Sequence, residues 1–239
     1  MHIMTVRLKK LSKMQKEFEC KYCSKCFTKP TTLAVHICPK KRRFLDIDIP
    51  SSRLGFRVFQ RFYQLTTTSK KLKSVEEFIE SQYYVEFVKF GHYLIDIKPI
   101  NIDQFIDFVI NNSVKLKDWT KEFVYDQYIE DLIKKEPADS AVERSILTID
   151  EWIQKNKVDM NTFFKNVSAN EAAFLIRRGR LSPWVLYLAE SGDPLMQSFN
   201  EDHAKIIGSL IDPSYWHRKF KSKSEDVEFI SGVLKSAGL

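Results

Sequence analysis

Glycine is scarce in this chain. Seven occur among 239 residues, and none falls in a G-x-G-x-x-G or G-x-x-x-x-G-K-S/T pattern, so the loops that cradle nucleotide phosphates are missing. Apolar runs approaching twenty residues are missing too, which leaves no sequence candidate for a membrane-spanning helix. No segment repeats at a period of roughly 20–50 residues, which excludes a solenoid. Cysteine is limited to four residues, all within the stretch 20–38. No hydrophobic leader precedes them, because MHIMTVRLKKLSKMQKEF is basic and lacks an apolar run of signal-peptide length. The expectation is a reducing compartment, the cytoplasm or a eukaryotic nucleus, where clustered cysteines serve metals rather than disulfides.

Positive charge, by contrast, is concentrated at one end. Residues 1–43 carry twelve Lys and Arg against Glu17 and Glu19, a net of +10; the whole chain is +7, which leaves −3 for residues 44–239. The basic excess therefore lies wholly in this N-terminal stretch. Lys9 and Lys10 stand on one side of the cysteines, and Lys40, Lys41, Arg42 and Arg43 on the other. Such clustering is the electrostatic footprint expected for a polyanion.

Between those basic flanks runs FECKYCSKCFTKPTTLAVHIC, residues 18–38. Two residues separate Cys20 from Cys23, and twelve separate Cys23 from His36; Phe18, Phe27 and Leu33 supply a miniature apolar core. This segment resembles the C2H2-type zinc finger at every position but one. The family expects a second His three to five residues after the first, and here Cys38 follows after one residue, with Pro39 behind it. On a continuous helix, positions i and i+2 lie about 200° apart, so His36 and Cys38 cannot share a face. Pro39 pushes Cys38 towards extended backbone, so the helix is expected to end near Ile37 and Cys38 to curl back. Cys26 competes for the fourth place, but spacing sets it in the turn before Phe27. The expected ligands are Cys20, Cys23, His36 and Cys38, in a C2HC-like site holding one structural zinc ion with no open coordination position.

The resemblance implies how such a finger would meet DNA. Pro30 suits the first helical position, where its missing N–H goes unmissed. Counting back from His36, the base-facing side chains are Lys29, Thr32 and Val35. Lys29 could reach guanine acceptors, and Thr32 could make one short polar contact. One finger spans only about three base pairs, so binding dominated by phosphates is expected, through Lys40, Lys41, Arg42 and Arg43, to DNA more than RNA.

The expected fold class is mainly α: a small ββα-like zinc-finger module over residues 1–44, then an all-α domain over 45–239 that divides, if at all, near 137–140. The helical spacing of Phe78, Tyr83, Phe87 and Phe90, and of Phe105, Phe108 and Val109, predicts core packing rather than a base-stacking platform. Ser74–Glu77 reads as a capping box, Asn101 and Ser168 as helix starts, Pro183 as a first-turn residue, and Gly179 and Gly238 as helix ends. The alternation in HYLIDIKPI, residues 92–100, predicts one short strand. Two further basic spots, Arg177–Arg178–Arg180 at a helix end and His217–Lys223 in a helix-to-helix link, read as solvated faces that could extend the footprint. Residue use rich in Lys, Ile, Asn and Phe suits an AT-rich genome such as that of a phage.

Functionally these features point to a non-enzymatic nucleic-acid-associated protein whose helical body docks a protein partner. One alternative is an adaptor that uses the finger as a protein-binding surface. The other is a metal-dependent nuclease, on the strength of Asp96-Ile97-Lys98, which resembles the D/E-x-K half of the PD-(D/E)xK enzymes, with Asp46, Asp48 or Glu86 as the upstream acid. His92, His203 and His217 have no partners at ligand or triad spacing.

Overall fold

The computed structural model describes residues 18–68 and 71–239; Lys9, Lys10 and the rest of the N-terminal basic flank lie outside them. Among the described residues the chain is mainly α-helical, with a single two-stranded sheet at its N-terminal end. None of the helices among the described residues is long and apolar enough to cross a membrane. It divides into two compact units, the first ending at His92 and the second starting at Tyr93.

The first unit opens with β1 (Phe18–Glu19) and β2 (Cys26–Phe27), antiparallel, with Phe18 opposite Phe27 and Glu19 opposite Cys26. Helix α1 (Pro30–Val35) begins after extended Lys29, with Pro30 in the first turn as its missing N–H favours. It stops at His36, whose N–H bonds to the Leu33 carbonyl. Cys38 is extended (φ −85°, ψ 164°), the conformation its neighbour Pro39 imposes, and it begins α2 (Pro39–Leu45). Neither α1 nor α2 has a single buried residue. Helices α3 (Pro50–Thr66), α4 (Val75–Glu80) and α5 (Tyr84–Ile97) follow, α4 opened by the reciprocal Ser74–Glu77 capping box.

The core of this unit is aromatic. Phe59, Phe78, Phe87 and Phe90 are buried, with Phe59 in ring contact with both Phe78 (5.2 Å) and Phe87 (5.5 Å). α3 and α5 meet backbone to backbone at two glycines. A Cβ on Gly91 would run into the Ser51 carbonyl, and one on Gly55 into that of Phe87. The short strand expected within 92–100 is a correction to make: α5 runs through Ile97, and the chain turns at Lys98 with φ +46°. The alternation there is incidental. Phe87, Phe90 and Leu94, at spacings of three and four, are the buried stripe, while Ile95 is exposed.

The second unit contains α6 (Ile102–Asn111), α7 (Glu122–Lys135), α8 (Ala138–Asn156), α9 (Phe163–Asn166), α10 (Ala169–Arg177), α11 (Pro183–Leu188), α12 (Gly192–Gln197), α13 (Glu201–Ile207), α14 (Pro213–Ser222) and α15 (Ser224–Ala237). Side chains of Asn101, Ser168, Ser182, Asn200 and Asp212 each accept a first-turn amide, satisfying donors the helices leave open. Trp119, Trp184 and Trp216 are fully buried. Arg144 makes a bidentate pair with Glu136 at 2.7 and 2.8 Å and donates from Nε to the carbonyl of Gly179, which is left-handed at φ +68°.

Candidate metal centre

Three short elements deliver the site. The turn after β1 carries Cys20 and Cys23, the end of α1 carries His36, and the extended residue before α2 is Cys38. Their ligand atoms all lie within 4.8 Å of one another. For a tetrahedral ion with metal–sulfur bonds near 2.3 Å and metal–nitrogen near 2.1 Å, the edges would be about 3.5–3.8 Å. The Sγ of Cys23 to Nε2 of His36 distance, 3.3 Å, is close to such an edge. None of the four cysteines is in a disulfide. Three thiols and an imidazole converging on one point can hold one metal ion, and the donor set suits a soft or borderline cation. Cys26 is exposed in β2 and does not belong to the converging group.

The surroundings act on Cys20 and Cys23 in opposite directions. Cys20 is held below the ordinary thiol range, chiefly by the backbone N–H of Tyr22, then by that of Cys23 against the cost of desolvation. The Lys25 amide acts on Cys23 in the same direction, but desolvation and the neighbouring Cys20 and Cys38 sulfurs outweigh it and raise that thiol. Cys38 Sγ accepts the Lys41 amide at 3.3 Å, so one sulfur serves both the metal cluster and the N-cap of α2. Phe27 rests on the His36 ring, centroids 4.8 Å apart, and keeps the imidazole turned inward.

The basic cluster behind the site is largely occupied. Lys40 pairs with Glu80 at 2.8 Å. Lys41 donates to the His36 carbonyl at 2.9 Å. Arg43 donates to the carbonyls of Ile79 (2.8 Å) and Ser81 (3.3 Å), and its guanidinium lies 4.5 Å from the Tyr84 ring centre. The Lys40 and Arg43 contacts fasten α2 onto the end of α4, and Lys41 ties it to the end of α1. Arg42 points to solvent, as do Lys29, Thr32 and Val35 along α1. Sequence reasoning passed over Lys21 and Lys25, both exposed and set over the Tyr22 and Phe27 rings at 4.9 and 5.7 Å. The signal for them was present: Lys21 directly follows Cys20, and Lys25 stands two residues after Cys23.

Elsewhere the other candidates disperse. Arg177 pairs with Asp126 and Glu122, Arg178 with Glu122, and Arg180 donates to the Lys98 carbonyl. The stretch expected as a link at His217–Lys223 is helical through Ser222. Within it Lys219 is half-buried, donating to the Ile133 and Lys134 carbonyls at the end of α7. His203 is buried and bonded to Asn170 and to the Asn200 amide, a structural role. Asp96 stands on a helix instead of a strand, and Glu86, ten positions earlier on that helix, is about 15 Å away along the axis.

Comparison of the chain with protein-family models, curated proteins and solved structures finds no match. What can be said of its chemistry comes from the residues themselves.

Proposed function

We propose that this chain is a non-enzymatic, nucleic-acid-associated protein whose N-terminal finger is organised by one structural zinc ion on Cys20, Cys23, His36 and Cys38. Zinc suits a closed set of three thiolates and one imidazole, which leaves no position for a substrate. The observation that carries the reading is the open cationic surface of the finger. Lys21, Lys25, Lys29 and Arg42 are all exposed, and between Phe18 and Arg43 seven Lys and Arg stand against Glu19 alone. Lys40, Lys41 and Arg43 contribute to the local potential, but their first task is holding α2 in place. In this reading the helical body docks a protein partner and so directs the finger.

The test is a salt titration of binding to two unrelated sequences. Each phosphate contact contributes about 0.9 to the salt slope on duplex DNA. Lys29→Ala with Arg42→Ala should flatten the slope by up to about two and weaken both sequences equally, with zinc content unchanged. A slope unaffected by this change, or no binding at low salt, would remove the reading.

A second reading, the adaptor, has one observation in its favour. Val35, Ile37, Phe44, Leu45 and Ile49 are all exposed within fifteen residues of chain. An apolar partner on them would bind with little dependence on salt, which the same titration distinguishes.

A further inference from the structure

We infer that the knuckle of the finger and the end of α2 form a stacking site for an unpaired base of a single-stranded nucleic acid. This rests on the nucleic-acid reading and names the form of strand it takes. Tyr22 lies in the knuckle between Cys20 and Cys23, and Phe44 lies on α2. Their ring centres are 5.4 Å apart with the planes tilted by 49°. Phe44 is 39% exposed, and Tyr22 is half-buried. The Lys21 ammonium sits 4.9 Å from the Tyr22 ring centre and 5.9 Å from that of Phe44. Aromatic surface and a cation are thus presented together, on the most basic segment of the chain.

Physical chemistry decides which strand form this suits. In a duplex both faces of each base are covered by neighbouring bases, so a protein ring has no face to meet; unpaired bases offer theirs, and proteins take them on aromatic side chains. The charge beside the rings has the sign the flanking phosphates require, with Lys21 at the ring edge and Lys25 exposed on the same knuckle. The competing surface is the α1 face, and it is poorly equipped for duplex readout. Lys29 is its only cation, Thr32 is short, and Val35, 78% exposed, offers no hydrogen bond. In the first unit Phe59, Phe78, Phe87 and Phe90 are sealed in the core while Tyr83, like Phe44, is exposed; the Tyr22–Phe44 pair is the aromatic surface that lies on the basic segment itself.

The experiment uses the full chain loaded with zinc and an end-labelled oligothymidine of about twelve nucleotides, within the site sizes such surfaces cover, against a duplex of equal length. Wild type should favour the single strand. Tyr22→Leu with Phe44→Leu keeps apolar contact between knuckle and α2 but removes the ring faces. It should weaken single-strand binding by about tenfold or more, while duplex affinity and zinc stoichiometry stay as in wild type. Lys29→Ala with Thr32→Ala should instead weaken both strand forms only modestly, through one lost phosphate contact. If the leucine variant loses zinc, the wild-type protein still decides: ring protons of Tyr22 should move upfield as oligothymidine is added, and no shift would overturn the inference. So would unchanged single-strand affinity in a zinc-loaded leucine variant, or a wild type that prefers duplex. Wild-type failure to bind either strand form at low salt would instead remove the nucleic-acid reading, and this inference with it.

Discussion

The finger and the second unit hold their helices by opposite means. α1 and α2 fully bury none of their own residues, so beyond the ring contact of Phe44 with Tyr22 they are placed mainly by sulfur, imidazole and side chain-to-backbone contacts. The second unit places its helices by filling space, with three tryptophans fully buried and one buried ion pair inside the packing. The difference teaches where each region is vulnerable. A finger with only a few half-buried apolar side chains depends on whatever joins its ligands, whereas a packed body depends on volume and on satisfied polar groups.

On the proposed zinc reading, the largest effect should come from removing the metal. Structural zinc contributes on the order of 10 kcal/mol to such modules, and it is folding energy. Chelation, or Cys20→Ser, Cys23→Ser or Cys38→Ser, should release one zinc per chain and disorder the finger, read as loss of its amide dispersion. Far-UV ellipticity should change little, because α1 and α2 hold only thirteen helical residues. A collapse of the whole helical signal would end the contrast between the two regions.

Next in size is Arg144→Ala. The side chains of Arg144 and Glu136 are 14% and 4% exposed, and removing one partner of a buried pair costs about 3–5 kcal/mol. The denaturation midpoint of the second unit should fall sharply, with zinc content unchanged. An equal loss on replacing both partners with apolar residues would mean that packing, not the stranded charge, carries the cost.

Gly91→Ala should come third, at about 1–3 kcal/mol, because the new methyl group meets the Ser51 carbonyl where α3 and α5 cross. This probes packing in the first unit, within the unit that also holds the finger. Stability equal to wild type would mean that the two helices can separate at little cost. The smallest effect should be Cys26→Ser, with zinc stoichiometry as in wild type, since Cys26 is outside the converging ligands. Zinc lost from this variant and retained by Cys38→Ser would reverse the fourth-ligand assignment.

Much of this was legible along the chain. The capping box at Ser74, the helix starts at Asn101 and Ser168, and the left-handed ends at Gly179 and Gly238 are local chemistry, and each stands where the sequence places it. So is the extended Cys38 ahead of Pro39, which lets Cys38 approach His36. The strand expected at residues 92–100 failed because two periodicities overlap there. Which one wins depends on which side chains the rest of the fold covers, and no local rule contains that.

The sequence by itself determined the helical class, the converging Cys and His residues and the concentration of positive charge, because spacing, capping and composition act over a few residues. Only the tertiary structure decided what that charge does. Lys40 meets Glu80 forty positions away, and Arg43 meets carbonyls of Ile79 and Ser81. A cation's role depends on the nearest acceptor in space, and folding can bring that acceptor from anywhere in the chain. The same holds for the buried pair of Arg144 and Glu136 and for the ring of Phe44 beside Tyr22: the types of the side chains are written locally, but their partners are set by the path of the backbone.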